Sequence, residues 1–357
     1  MNNKIIVPTG YSGSGSSALT DLVSELEGFD ENLGSFEFVF THCPNGLFDL
    51  EDKLLIGNNG LRSDEAIHSF LSCMYRLHHE RNYWFSDYAV KVTPRFYSFC
   101  EEMIADLRLI SMNDVYWYYQ ENIDTIPLRL LWHIRMSATK LFGRHFPKDK
   151  PFKPLDYDDV QLAYPKPDEF YAAARRMLQK LYCELGCEQH PLVLDQLLLP
   201  HNLHRIDRYF DDRLRVFVVD RDPRDVYLLN KYYWLPAHVG VPFPTEPEAF
   251  CRVYAAMRQS ERHVEDSRIL RLHFEDCIYR YDETCRRVYA FLDVSDAQHA
   301  RRKGTMFQPD KSIRNTQLFR RGSFPAEDLH IIEEQLSGYL YDFPADVPVP
   351  GISDDIF

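Results

Sequence analysis

Residues 4–17 read KIIVPTGYSGSGSS, and this stretch constrains the fold more than any other. Ile5, Ile6 and Val7 are β-branched and predict a strand. Gly10, Gly13 and Gly15 then allow a tight, left-handed backbone that other residues resist. Ser16 and Ser17 lead into ALTDLVSELEG, an amphipathic run with hydroxyls at the N-terminal end of the predicted helix. Strand, glycine loop and helix together aim backbone N–H groups and a helix N-terminus at an anion, a phosphate above all.

The spacing Gly10-x4-Gly15 is that of a P-loop, with Ser16 where a P-loop NTPase carries its phosphate-gripping lysine. The loop therefore points to a phosphate-bearing nucleotide and argues against ordinary ATP or GTP hydrolysis. A glycine-serine turn after an edge strand would read the same way, so a second segment carries weight. Residues 214–230 read LRVFVVDRDPRDVYLLN. Val216–Val219 form an apolar run suited to a strand buried on both faces of a parallel sheet. It ends in Arg221-Asp222-Pro223-Arg224-Asp225, with Pro223 placed for the first turn of a helix. Arginine forks at the carboxyl end of such a strand match phosphate oxygens where open α/β sheets bind ligands.

On these residues the chain resembles the sulfotransferase superfamily, which uses 3′-phosphoadenosine 5′-phosphosulfate (PAPS). GYSGSGSSAL (10–19) resembles its lysine-less P-loop and RDPRDV (221–226) its 3′-phosphate segment. LRLHFEDCIYRYDETCRRVYAFLDV (270–294) is similar to the strand, Glu-Asp pair and helix that follow in the family. FQPDKSIRNTQLFRRG (307–322) resembles the basic loop that closes over the nucleotide. The likeness covers about residues 3–30 and 190–340. It implies an α/β, P-loop NTPase-like three-layer fold with a central parallel sheet. Residues 1–357 would be one domain, with a large, mostly helical insertion at about 31–189 covering the cleft. It further implies that Ser12, Gly13, Ser14, Gly15, Ser16 and Ser17 hold the 5′-phosphosulfate, the backbone amides of 12–16 included. Arg221 would hold the 3′-phosphate, Arg224 would support it or pair with Asp225, and Arg320, Arg321 and Gly322 would complete that site. No metal is required.

Three departures stand out. Gly13 occupies the position where the family's loops carry Lys or Arg, Leu229 and Asn230 stand where a serine is usual, and Gln196 lies near a usual lysine or histidine. Lys91, Lys231, Lys311 and Arg314 are candidates for a relocated cation.

Sulfonate transfer needs a base for the attacking hydroxyl. Glu37, in FEFVF, and Asp195, at the end of VLD, are the candidates; His42 and His201 rank behind them, and Glu275 and Asp276 read as structural. The resemblance implies an acceptor hydroxyl on a carbohydrate. The Tyr-rich runs 115–120 and 227–234 would suit a sugar face, although such stripes more often pack a core. Two other functions stay open: a P-loop kinase-like phosphotransferase, and a non-catalytic nucleotide-binding regulator.

The 357 residues, 45% hydrophobic and 27% charged, are ample for a core. A net charge of −13 argues against nucleic acid and anionic membrane surfaces as partners. No run approaches the ~20 apolar residues of a membrane span. The N-terminal apolar stretch is too short for a signal peptide, and the eight scattered cysteines read as buried thiols. Together these favour a cytoplasmic location. Helices are predicted over 63–81, 97–109, 125–143 and 167–186, and the Pro-rich stretch 147–166 is predicted to be loop.

Overall fold

A computed structural model describes residues 3–29, 36–81, 83–113, 159–238, 240–322 and 324–345, with isolated positions between 130 and 141 and Val347. The Tyr-rich run 115–120, most of the predicted helix 125–143 and residues 147–158 lie outside the described residues. The chain divides into two compact units. One comprises Met1–Cys43, Leu77–Phe96 and Leu178–Phe357, and the other Pro44–Arg76 with Tyr97–Met177.

Six strands occur among the described residues: β1 (Ile5–Gly10), β2 (Ile110–Asn113), β3 (Asp159–Leu162), β4 (Leu192–Val193), β5 (Leu214–Asp220) and β6 (Ile269–His273). The first unit holds a parallel sheet in the order β4-β1-β5-β6. All six residues of β1 are buried, as its apolar run requires of a central strand. Ile6, Phe217, Val219 and Leu272 pack one sheet face against Leu19, Leu22 and Val23 of the helix Ser17–Ser24 and against Val288 and Leu292. A second core gathers Val226, Leu229, Phe250, Tyr254 and Ile332.

Register and connectivity together place the site. Gly10 pairs with Val219, and Asp220 with His273, so three strands end at one level. From β1 the chain goes to one side of the sheet, to β4, whereas from β5 it goes to the other side, to β6. The crevice between the carboxyl ends of β1 and β5 is therefore a topological switch point, where open α/β sheets bind ligands.

In the second unit, β2 and β3 form an antiparallel ribbon. Residues 159–162 thus correct the loop predicted across 147–166. Their alternating DVQL pattern suits a strand, and two buried polar groups hold its end. Asp64 accepts the Gln161 N–H at 2.7 Å, and Ser63 Oγ accepts the Ala163 N–H at 2.7 Å. The predicted helices near 63–81, 97–109 and 167–186 are present as Gly60–His79, Phe96–Leu107 and Pro167–Glu184.

Candidate active site

At the switch point lies a cleft of about 720 Å³. The whole run Gly10–Ala18 lines it, with Asp21, Glu37, His42, Asp195, Gln196, Arg221, Trp234, Phe274 and Asn315 among the other walls.

The loop turns on two left-handed glycines, Gly13 (φ +79°) and Gly15 (φ +80°). Space reinforces the need for glycine. A Cβ on Gly13 would sit 2.9 Å from Trp234 Cη2, and one on Gly15 would sit 2.8 Å from Phe274 Cδ2. Ser14 N–H closes onto Tyr11 O at 2.9 Å, so the loop's own turn takes one of the amides expected to face a ligand. The Ser14 hydroxyl is buried and makes no hydrogen bond among the described residues. Ser12 and Ser17 are exposed at the cleft.

Arg221 leaves the end of β5 and is 6% exposed. Its guanidinium donates to Gly13 O at 3.1 Å and to Asn315 O, and lies 4.7 Å from the centre of the Phe274 ring. Its Nε–H has no protein partner among the described residues. One buried cation thus joins the glycine loop, the strand end and the C-terminal tail.

Arg224 behaves differently. It forks onto Asp222 (3.0 and 2.7 Å), reaches Glu333 at 2.9 Å and stacks over Phe319 at 3.8 Å. It does not pair with Asp225. That carboxylate instead accepts the N–H groups of Gln317 and Leu318, both at 2.8 Å. Arg224, Arg320, Arg321 and Gly322 are absent from the cleft's described lining. Arg320 donates to Gln317 Oε1 at 2.8 Å, and Arg321 donates to Arg314 O. Glu275 accepts the Asp222 N–H at 2.9 Å and Asp276 accepts the Tyr341 hydroxyl at 2.7 Å, matching their structural reading.

None of Lys91, Lys231, Lys311 and Arg314 lines the cleft; among its described walls Arg221 is the sole Lys or Arg. Lys231 is held by Tyr227 Oη (2.8 Å) and Asp328 (2.9 Å). The position that would carry a cation on the loop is closed instead by the Trp234 indole.

The opposite wall carries carboxylates. In Phe36-Glu37-Phe38-Val39-Phe40 the phenylalanines alternate inward, 0–4% exposed, and pack edge-on against one another and Tyr88. Period-two alternation turns Glu37 the other way, onto the cleft. Phe38 N–H bonds Asp195 O at 2.8 Å, bringing this segment beside the exit of β4. Burial, reinforced by the negative charge of Glu37, pushes the Asp195 carboxyl up to about 7. Asp21 also lines the cleft, its carboxyl raised by burial and by Glu25.

Gln196, a departure in the sequence, is built into the site. Its side chain accepts from Thr9 Oγ1 (3.1 Å) and donates to Ser16 Oγ (2.9 Å). His42 bonds the Gln196 carbonyl through Nε2 at 2.8 Å, and burial pushes its imidazole down to about 4, so the ring is neutral and Nε2 donates. His201 Nε2 faces Met257 O at 3.2 Å. Sequence reasoning did not single out Asn315 and Asp21 as cleft residues, whereas Trp234 closes the aromatic run 227–234 named above.

No family model and no curated protein matches the chain. Two solved structures are similar. The sulfotransferase domain from the curacin biosynthetic pathway gives a TM-score of 0.39 at 12% identity, covering 96% of this chain and 99% of that one. Sulfotransferase STF9 from Mycobacterium avium gives 0.34 at 11% identity, covering 98% and 79%. No helix among the described residues is long and apolar enough to cross a membrane, and no group of metal-binding side chains is found among them.

Proposed function

We propose that the chain is a sulfotransferase that moves a sulfonate group from PAPS to an acceptor hydroxyl, on a carbohydrate. The observation that carries this reading is that one cleft is shared by the glycine loop, the buried Arg221 that bonds it, and the Glu37–Asp195 carboxylate wall.

The division of labour follows from charge. The orphaned Ser14 hydroxyl, the Ser16 hydroxyl and the remaining loop amides favour anionic oxygens of the 5′-phosphosulfate. Arg221, its Nε–H unused, serves the 3′-phosphate. Glu37 takes the proton of the acceptor hydroxyl, whose oxygen forms the new bond to sulfur. The bond from sulfur to the bridging oxygen breaks in line, and its electron pair leaves with the 5′-phosphate. Asp195, buried beside Glu37, is the alternative proton acceptor. Trp84, Trp234 and Tyr11 supply aromatic faces for a sugar ring. Positioning and charge stabilisation supply most of such a transfer's acceleration.

Calorimetric titration with 3′-phosphoadenosine 5′-phosphate (PAP), with AMP and ADP as controls, tests the donor site. Binding that depends on the 3′-phosphate is expected, and Glu37→Gln should keep it while abolishing turnover of PAPS. Equal affinity for AMP and PAP, or turnover of ATP with Mg2+, would overturn the reading.

A further inference from the structure

We infer that Gln196 is a positioning residue that fixes the Ser16 hydroxyl as a hydrogen-bond donor to the anion in the loop. The inference rests on the donor-site reading above.

Gln196 holds a left-handed backbone, φ +59°, a conformation that residues with a Cβ rarely adopt. The conformation is secured from both sides: its N–H donates to Pro8 O at 2.9 Å, and its carbonyl accepts from His42. This backbone sets the carboxamide between two hydroxyls. Thr9, 0% exposed, donates to Gln196 Oε1, which leaves the amide NH2 facing Ser16 and donating to its Oγ. A hydroxyl has one proton. With a lone pair of Ser16 Oγ taken by the amide, that proton is free for an acceptor in the cleft that Ser16 lines. A fully ionised phosphate or sulfonate oxygen is such an acceptor, and it carries no proton to donate in return. A carboxylate at position 196 would keep the shape and reverse the polarity, because it would draw the Ser16 proton toward itself.

The test is PAP and AMP titration against wild type, Gln196→Glu and Gln196→Ala across pH 5 to 8. Each variant is compared with wild type at the same pH. At pH 8, Gln196→Glu should bind about tenfold to a hundredfold more weakly. The deficit should narrow toward pH 5, where the protonated carboxyl can accept from Thr9 and donate to Ser16. Gln196→Ala should lose about tenfold at every pH. In a Ser16→Ala background, Gln196→Ala should add no further loss, a readout available even where Gln196→Glu does not fold. Wild type binding PAP while Gln196→Glu binds equally well, or shows a deficit independent of pH, would overturn the positioning role. So would additive losses in the double variant. Failure of wild type to bind PAP would instead remove the donor-site reading itself.

Discussion

Gly13→Ala should be costly for two separable reasons, and a second substitution separates them. The first is the backbone: at φ +79°, any L side chain gives up about 1–2 kcal/mol. The second is Trp234. An added Cβ would lie 2.9 Å from Cη2 and 3.4 Å from Cζ3 of that indole, with Val226 Cγ1 also 3.4 Å away. The ring must move, and overpacking of this kind costs about 1–3 kcal/mol. The single variant should thus lose roughly 2–5 kcal/mol. In a Trp234→Ala background only the backbone cost persists, so Gly13→Ala should cost about 1–2 kcal/mol there. The coupling, about 1–3 kcal/mol, is read from equilibrium urea unfolding of the four proteins at one pH and salt concentration. Additive losses would refute the claim that Trp234 closes this position, and a neutral Gly13→Ala would refute the backbone argument as well. Gly13→Lys should follow the same pattern more steeply, and tighten PAP binding only when Trp234 is removed.

Three further outcomes are expected. Asp195→Asn should leave stability unchanged below pH 4 and raise it relative to wild type above pH 7. The folded-state pKa of Asp195, about 7, exceeds its ordinary value, so the protonated form stabilises the fold, and that contribution is lost as pH rises through 7; pH-dependent unfolding midpoints check this. Asp225→Ala should cost about 2–4 kcal/mol by orphaning two buried N–H groups, and hydrogen exchange should show faster opening at Gln317 and Leu318. Arg221→Ala should weaken PAP by on the order of 2–5 kcal/mol, and calorimetry on the folded variant decides; unchanged affinity would remove Arg221 from the donor site.

What could be read from the sequence was local. Strand β1 and its loop and the buried strand before Arg221 depend on neighbouring residues and short periods. What escaped depends on distant partners. Gln196 was visible only as a departure, because its two hydroxyl partners lie 187 and 180 residues away. Arg224 is expected to support the 3′-phosphate or to pair with the adjacent Asp225, yet Asp225 faces the tail and Arg224 faces Asp222 and Glu333. The four candidate cations have suitable chemistry, but no local rule states that Trp234 fills the space beside Gly13.

Arg221 also has a consequence in time. Its two carbonyl partners belong to residues 13 and 315, so the ribosome makes the glycine loop before the arginine and the last tie after it. Because domains fold largely as units during synthesis, a nascent chain stalled between residues 221 and 315 would present the loop and the arginine without the tail that fixes them. The guanidinium's full set of bonds therefore forms only after residue 315 has been made, when all four strands of the parallel sheet are already in the chain.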